Sequence, residues 1–364
     1  MRIQAIVDVL EQWAPRVLQE DYDNSGLQVG DPDADVQAAL ITLDCTEAVV
    51  EEAVRTGCGL IIAHHPVIFR GLKSLTGRSE VERTVLAAVR HGVAIHAIHT
   101  NLDNVHTGVN AEVLARLGAE QGQVLAPKPG QLAKLVTFVP MAHAEAVRSA
   151  LFAAGAGTIG KYDACSFAGE GSGTFRAGAG AEPFVGAVGE LHQEPELRLE
   201  VVLPAHAAGR VVHALRQAHP YEEVAYDLIP LSNTHPGIGS GMVGTFRQPL
   251  TERAFLARVK EVFGAPVVRH TALTGREIAR VAVCGGSGAF LIGKAVAAGV
   301  DAYLTADVKY HEFFAPEGRL LLADIGHFES ERFTMHLIQR RLGEILPTFA
   351  TRLTETVTNP IHCS

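Results

Sequence analysis

The chain has 364 residues, a length that accommodates two or three domains with sizeable cores. Apolar residues make up 47% and charged residues 20%, which excludes wholesale disorder. The net charge of −9 argues against nucleic acid as a partner, because it repels a phosphate backbone. Histidine stands out at 17 copies, each able to bind a transition metal or move a proton near neutral pH.

Residues 1–15 put Ile3, Ile6, Val7 and Leu10 at helical spacing, while Arg2, Asp8 and Glu11 interrupt any signal-peptide core. Apolar runs of strand length follow at 39–43, 60–63 and 93–98, separated by helix-period segments. Asp44 with Glu47, and Ser79 with Glu82, read as capping boxes opening two helices, and Gly57 and Gly92 stand where those helices end. Strand-helix alternation of this kind predicts parallel pairing with right-handed crossovers. The same alternation returns at 280–284, 302–305 and 320–323, with a helix beginning near Ser287.

The middle of the chain reads differently. After the turn Lys128-Pro129-Gly130 come a strand at 135–139, a helix at 145–154 and a glycine-rich, aromatic-dotted stretch at 155–189. A second strand-helix-strand unit follows at 197–203, 207–217 and 223–230, before a turn cluster at 233–241. The expected architecture is an α/β core of parallel-rich sheets, residues 1–130 and 241–364, interrupted by a ferredoxin-like α+β insertion at 131–240. No run of about 18 apolar residues predicts a membrane span. The five cysteines, an odd number without a CxxC pair, indicate neither a disulfide framework nor a thiolate zinc site, and fit a reducing cytoplasm.

The chemistry gathers at strand ends. His64-His65-Pro66 directly follows the strand at 60–63, where side chains of an open α/β sheet line the ligand crevice. The next strand leads into His99-Thr100-Asn101-Leu102-Asp103, adding an imidazole and a carboxylate at the same edge. The strand at 320–323 leads into Asp324 and then His327 and Glu331, which share a face if a helix begins by His327. His64, His65, Asp103, His327 and Glu331 exceed what one tetrahedral zinc requires, whereas two ions sharing a bridging carboxylate could use all five. Imidazole with carboxylate suits Zn, Mn, Fe or Ni. Asp307, Lys309, Tyr310 and His311 follow another strand end and could line the same pocket. Cys284-Gly285-Gly286-Ser287-Gly288 matches neither the dinucleotide fingerprint nor the P-loop and reads as a tight turn. His143, His206 and His213 fall in the insertion and read as solvated or packing residues.

The segments Asp23-Asn24-Ser25-Gly26-Leu27-Gln28-Val29-Gly30, Ala63-His64-His65-Pro66, His99 to Asp103 and Gly326 to Glu331, in this order, resemble the NIF-three-like family, whose members often carry the name GTP cyclohydrolase 1 type 2 homolog. The resemblance spans nearly the whole chain. It implies two metal ions held by His64, His65, Asp103, His327 and Glu331, with Glu331 as the bridge and His99 close by. It also implies a toroidal homohexamer and an inserted domain similar to the PII and CutA folds, with 218–227 as that insert's signature. Ser25 stands where many relatives have a larger residue, and Thr305-Ala306-Asp307 replaces a frequent Thr-Gly-Asp; both depart near expected substrate contacts.

Two functional expectations follow. One is a cytoplasmic metal-dependent hydrolase acting on a small molecule, in which a metal-activated water attacks and His99 or His311 moves the proton. The other is a non-enzymatic metal-binding or regulatory ring scaffold with a small-molecule-sensing insert.

Overall fold

The computed structural model describes residues 1–363 and divides into two compact units, Met1–Ala126 with the segment from Gly237 onward, and Pro127–Pro236. The first unit is interrupted in sequence by the second, and the boundaries fall about four residues before those the turn clusters indicate. Pro127 closes the strand Glu120–Pro127, so the chain leaves the first unit at a strand end and not at the later Pro-Gly turn.

The first unit rests on two sheets. One has the strand order Gly26–Val29, Ala94–Ala97, Leu60–Ala63, Ala38–Thr42, Ala350–Leu353, parallel throughout except for its first strand. Leu60–Ala63 and Ala38–Thr42 are buried along their whole length, as continuous apolar runs in a parallel sheet must be. Ala350–Leu353 pairs with Ala38–Thr42, so the two ends of the chain share one sheet. The other sheet has the order Arg269–His270, Leu321–Asp324, Ala302–Ala306, Glu277–Ser287, Gly239–Thr251, Glu120–Pro127, with its three strands from 277 to 324 parallel to one another. A single apolar cluster joins the two sheets: Ile41 and Ile62 from the first pack with Val283, Leu304 and Leu321 from the second and with Ile3, Ile6 and Leu10 of the helix Ile3–Trp13. Among the described residues no helix is long and apolar enough to cross a membrane.

The helix Glu47–Arg55 starts differently from the sequence expectation. Thr46 is its cap, accepting from the Val49 N–H, while Asp44 turns away to accept from the His65 ring. Ser79 does cap Glu80–His91 through the Glu82 N–H, but the Glu82 carboxylate accepts from Thr76 and Arg78 and does not return to Ser79.

The second unit is an antiparallel sheet of four strands in the order Phe167–Arg176, Leu191–Pro204, Leu132–Pro140, Tyr226–Pro230. Helices Ala144–Ala153 and Ala208–Ala218 cover it through Val147, Leu151, Val211 and Leu215. Chain order is β-α-β-β-α-β, that of ferredoxin-like modules. The strand Phe167–Arg176 lies inside the glycine-rich stretch at 155–189. Gly169, Gly171 and Gly173 lower its strand propensity, and pairing along its full length with Leu191–Pro204 supplies the order its side chains do not.

Beyond Ala350–Leu353 the chain is tied down by the buried carboxylate of Glu52. That group accepts from the Thr354 hydroxyl at 2.6 Å, the Glu355 N–H at 2.8 Å, and the Thr356 N–H and hydroxyl at 3.1 and 2.6 Å. Burial alone would raise the Glu52 pKa, but these hydrogen bonds outweigh it and lower it. Their stabilisation is therefore present above the ordinary carboxylate range and is lost as pH falls through the lowered value. Glu52→Ala should cost roughly 2–4 kcal/mol in denaturant unfolding and open the C-terminal segment to carboxypeptidase; unchanged stability and resistance would contradict this role.

Candidate metal centre

Each imidazole of the centre is oriented by its Nδ1. The His64 Nδ1–H donates to the Ile98 carbonyl at 2.8 Å, His65 Nδ1 lies 2.7 Å from Asp44 Oδ1, and His327 Nδ1 lies 2.6 Å from Asp307 Oδ2. With Nδ1 engaged in every case, the three Nε2 atoms point inward, an arrangement typical of metal-ligating histidines.

Inward of them stands Glu331, 3% exposed, on the helix His327–Glu331. Its Oε2 is 2.9 Å from His65 Nε2 and 2.9 Å from His327 Nε2, and these two nitrogens are 3.3 Å apart. Its Oε1 faces the other way, 3.9 Å from His64 Nε2, which in turn is 3.8 Å from Asp103 Oδ1. His64, His65 and Glu331 form a cluster whose donor atoms all lie within 4.8 Å of one another, close enough to hold a metal ion.

Two observations of this geometry fit a cation. His64 Nε2 and Asp103 Oδ1 are buried and have no hydrogen-bond partner, a costly arrangement for polar atoms in a folded interior. Two imidazole nitrogens also converge, 3.3 Å apart, on one carboxylate oxygen, a donor set that a cation between them would use. The electrostatics agree. Burial opposes a charge on His65 and His327, yet hydrogen bonds to Asp44, Asp307 and Glu331 outweigh it and push them up to about 9 and about 11. Burial, then the neighbouring Glu331 charge, pushes Asp103 up to about 7. Burial would raise Glu331 too, but the surrounding imidazoles, His327 foremost, hold it well below its ordinary value.

The scaffold is shaped to this carboxylate. Gly286, at φ +60°, ends the strand Glu277–Ser287 against Glu331: a Cβ there would lie 2.2 Å from Oε1. The Gly286 N–H donates to Ser330 Oγ at 2.9 Å and the Gly285 N–H to Asn110 Oδ1 at 3.0 Å. The glycine pair is thus a strand end that lets the helix approach, with its N–H groups already used by the protein.

His99 stands beside the cluster, its ring centroid 5.4 Å from that of His64 and 5.3 Å from that of His65. Its Nδ1 is 2.7 Å from Asp23 Oδ1, which leaves Nε2 free to exchange a proton. Asp23 is buried and also accepts from the N–H groups of Asn24 and Thr100 and the Thr100 hydroxyl. Burial would raise Asp23, but the His99 ring and these donors hold it far below the usual carboxylate range. Sequence reasoning did not assign Asp23 a role, although its position at the head of Asp23-Asn24-Ser25-Gly26 was the available signal. Ser25 is buried in the same network, 2.9 Å from Asn101 Oδ1, so it supports the loop that carries His99.

Two cavities open on the cluster. One, of about 410 Å³, is lined by His65, His99 and His327 with Phe69 and Ile361; the other, of about 220 Å³, by His99, Asp103, Glu331 and Tyr22. Asp307 joins the centre only through His327. His311 does not join it: it is exposed on the short turn Tyr310–Phe314, its ring edge-on to Tyr310.

The model of the Duf34/NIF3 (NGG1p interacting factor 3) family matches residues 1–360. The chain belongs to this family. It is 37% identical to proteins from Halalkalibacterium halodurans and Bacillus subtilis named GTP cyclohydrolase 1 type 2 homolog, over 99% and 98% of its length and 96% and 97% of theirs. Its structure is similar to that of a Bacillus cereus protein related to NIF3, at 34% identity with a TM-score of 0.87, covering 100% of this chain and 99% of that one. A Staphylococcus aureus protein gives a TM-score of 0.78 at 26% identity over the same shares.

A metal ion held at this cluster would displace protons from His65 and from the titratable groups packed against it, so its affinity should rise with pH. Competition titrations with Zn²⁺ should show tightening by at least about tenfold per pH unit from pH 6 to 8, since each displaced proton contributes one decade. Asp44→Ala, which frees the His65 ring, should weaken binding roughly 10–100-fold. A pH-independent affinity, or no effect of Asp44→Ala, would contradict the assignment.

Proposed function

We propose that this protein is a dinuclear metal-dependent hydrolase of a small electrophilic substrate. The observation that carries this reading is the orientation of Glu331, whose two oxygens face separate donor sets: His64 with Asp103, and His65 with His327. These five residues are the proposed ligands of two divalent ions, from among Zn, Mn, Fe or Ni. Ions held there would supply Lewis acidity that makes water nucleophilic near neutral pH and offsets charge developing on the substrate.

The chain's own residues do the rest. Asp23 fixes the orientation of the His99 ring, so His99 Nε2 can take a proton from the attacking water and return it to a leaving group. Phe69 and Ile361 give the larger cavity an apolar wall. The relatives' name points to hydrolytic opening of a purine nucleotide; a phosphoester or a cyclic amide suits the same residues. The proposed setting is the cytoplasm, and the proposed assembly is a toroidal homohexamer whose insert has a PII/CutA-like fold, consistent with its β-α-β-β-α-β order.

Elemental analysis should find about two ions per wild-type chain, the number that bridged two-ion hydrolytic sites hold, and fewer in His64→Ala and Glu331→Ala. Equal metal content in all three would sink the site. Metal-loaded protein should then turn over at least one member of a panel of nucleotides, phosphoesters and cyclic amides, with kcat falling about 10²–10⁴-fold in His99→Ala while metal content is retained. No turnover across the panel by fully loaded protein would favour the rival reading, a non-enzymatic metal-binding or regulatory ring.

A further inference from the structure

The unit Pro127–Pro236 contains a cavity of about 740 Å³, built entirely from its own residues. Its floor is the strand Phe167–Arg176. Alternate residues of a strand share a face, so Gly169, Gly171 and Gly173 lie in a row between Phe167 and Phe175. The strand itself raises no side chain over that stretch, and strand glycines of this kind mark close approach by another group.

Part of the space is taken by one carboxylate. Glu196, on the neighbouring strand opposite Gly171, is 8% exposed and lies over the glycines: a Cβ at position 173 would be 2.1 Å from its Oε2. The Tyr221 hydroxyl donates to Oε1 at 2.8 Å. Among the described residues Oε2 has no hydrogen-bond partner. Burial, then the adjoining Glu196, pushes the Tyr221 phenol above its ordinary pKa, so it remains a donor to this carboxylate.

Aromatic rings form the walls. Phe175 and Phe184 flank Tyr221 with ring centroids at 6.2 and 6.3 Å, and Phe184 is 52% exposed, a large ring left at the rim. The charged lining is acidic on balance: Glu170, Glu222 and Glu223 join Glu196, and of the two arginines Arg198 is paired with Glu200. An anionic ligand would meet repulsion here, and a neutral one would leave the carboxylate's charge unbalanced. A cation answers both, since a carboxylate balances its charge and ring faces attract it.

We propose that this cavity binds a small organic monocation, an amine or guanidine with a short apolar body. Its charged nitrogen donates to Glu196 Oε2, and its body lies over the bare strand at Gly171 and Gly173, against Phe175, Phe184 and Tyr221. This binding is independent of the metal centre and of any reaction there.

Calorimetric titration of the metal-loaded full chain with phenethylamine and with butylguanidine, against neutral 2-phenylethanol, tests the proposal. At least one cation should bind saturably at one site per chain, and 2-phenylethanol at least about tenfold more weakly, the order expected for loss of a charge-assisted hydrogen bond. Glu196→Gln should reproduce that loss with metal content unchanged. Phe184→Ala, at an exposed position that folding does not depend on, should weaken cation binding severalfold if Glu196→Gln fails to fold. The proposal is overturned if neither cation binds at millimolar concentration, if 2-phenylethanol binds equally, or if neither variant alters binding. It is overturned too if hydrogen exchange shows residues 170–176 covered by a second copy of the chain and unaffected by either cation.

Discussion

A buried carboxylate with both oxygens aimed at imidazole nitrogens sets the terms for this molecule. Glu331 lies in the interior, where an ionised group is tolerated only beside compensating positive charge. The surroundings are built to meet that demand. The strand Leu321–Asp324 delivers the helix that carries His327 and Glu331, the strand Leu60–Ala63 delivers His64 and His65, and the segment after Ala94–Ala97 delivers His99 and Asp103. Gly286 has no side chain where one would strike Glu331, and Ser330 and Asn110 bind the strand end that passes it.

The same requirement explains the polar shell. Four imidazoles surround the centre, and each directs its Nδ1 to an acceptor from a different part of the chain: the Ile98 carbonyl, Asp44, Asp307 and Asp23. None of these acceptors need touch a metal. They fix the rings so that Nε2 is presented inward, which moves the cost of ordering into folding. The C-terminal segment belongs to this shell, because Thr358 donates to the Asp44 oxygen that His65 does not use, and Asn359 donates to Glu329.

Much of this was readable from the sequence because the signals were local. Apolar runs of four to six residues gave the parallel strands, and the residues just after them gave His64, His65, His99 and Asp103. The four-residue spacing of His327 and Glu331 gave a shared helix face. What escaped was non-local. Asp44 resembled a helix cap because an acidic residue three positions before Glu47 satisfies that pattern, and only tertiary structure assigns its oxygen to His65. His311 resembled a pocket residue because it follows a strand, but the turn Tyr310–Phe314 leaves it in solvent. Asp23 escaped because it acts on a residue 76 positions away, and the bounds of the strand Phe167–Arg176 escaped because its glycines suppress the pattern by which strands are recognised.

The central claim is that Glu331 joins two cation sites. Anomalous diffraction from crystals of the Zn²⁺-loaded protein tests it most directly. The account predicts two peaks roughly 3.5–4 Å apart, one between His64 and Asp103 and the other between His65 and His327, with Glu331 bound to both. A single peak at full loading, or peaks away from Glu331, would contradict it.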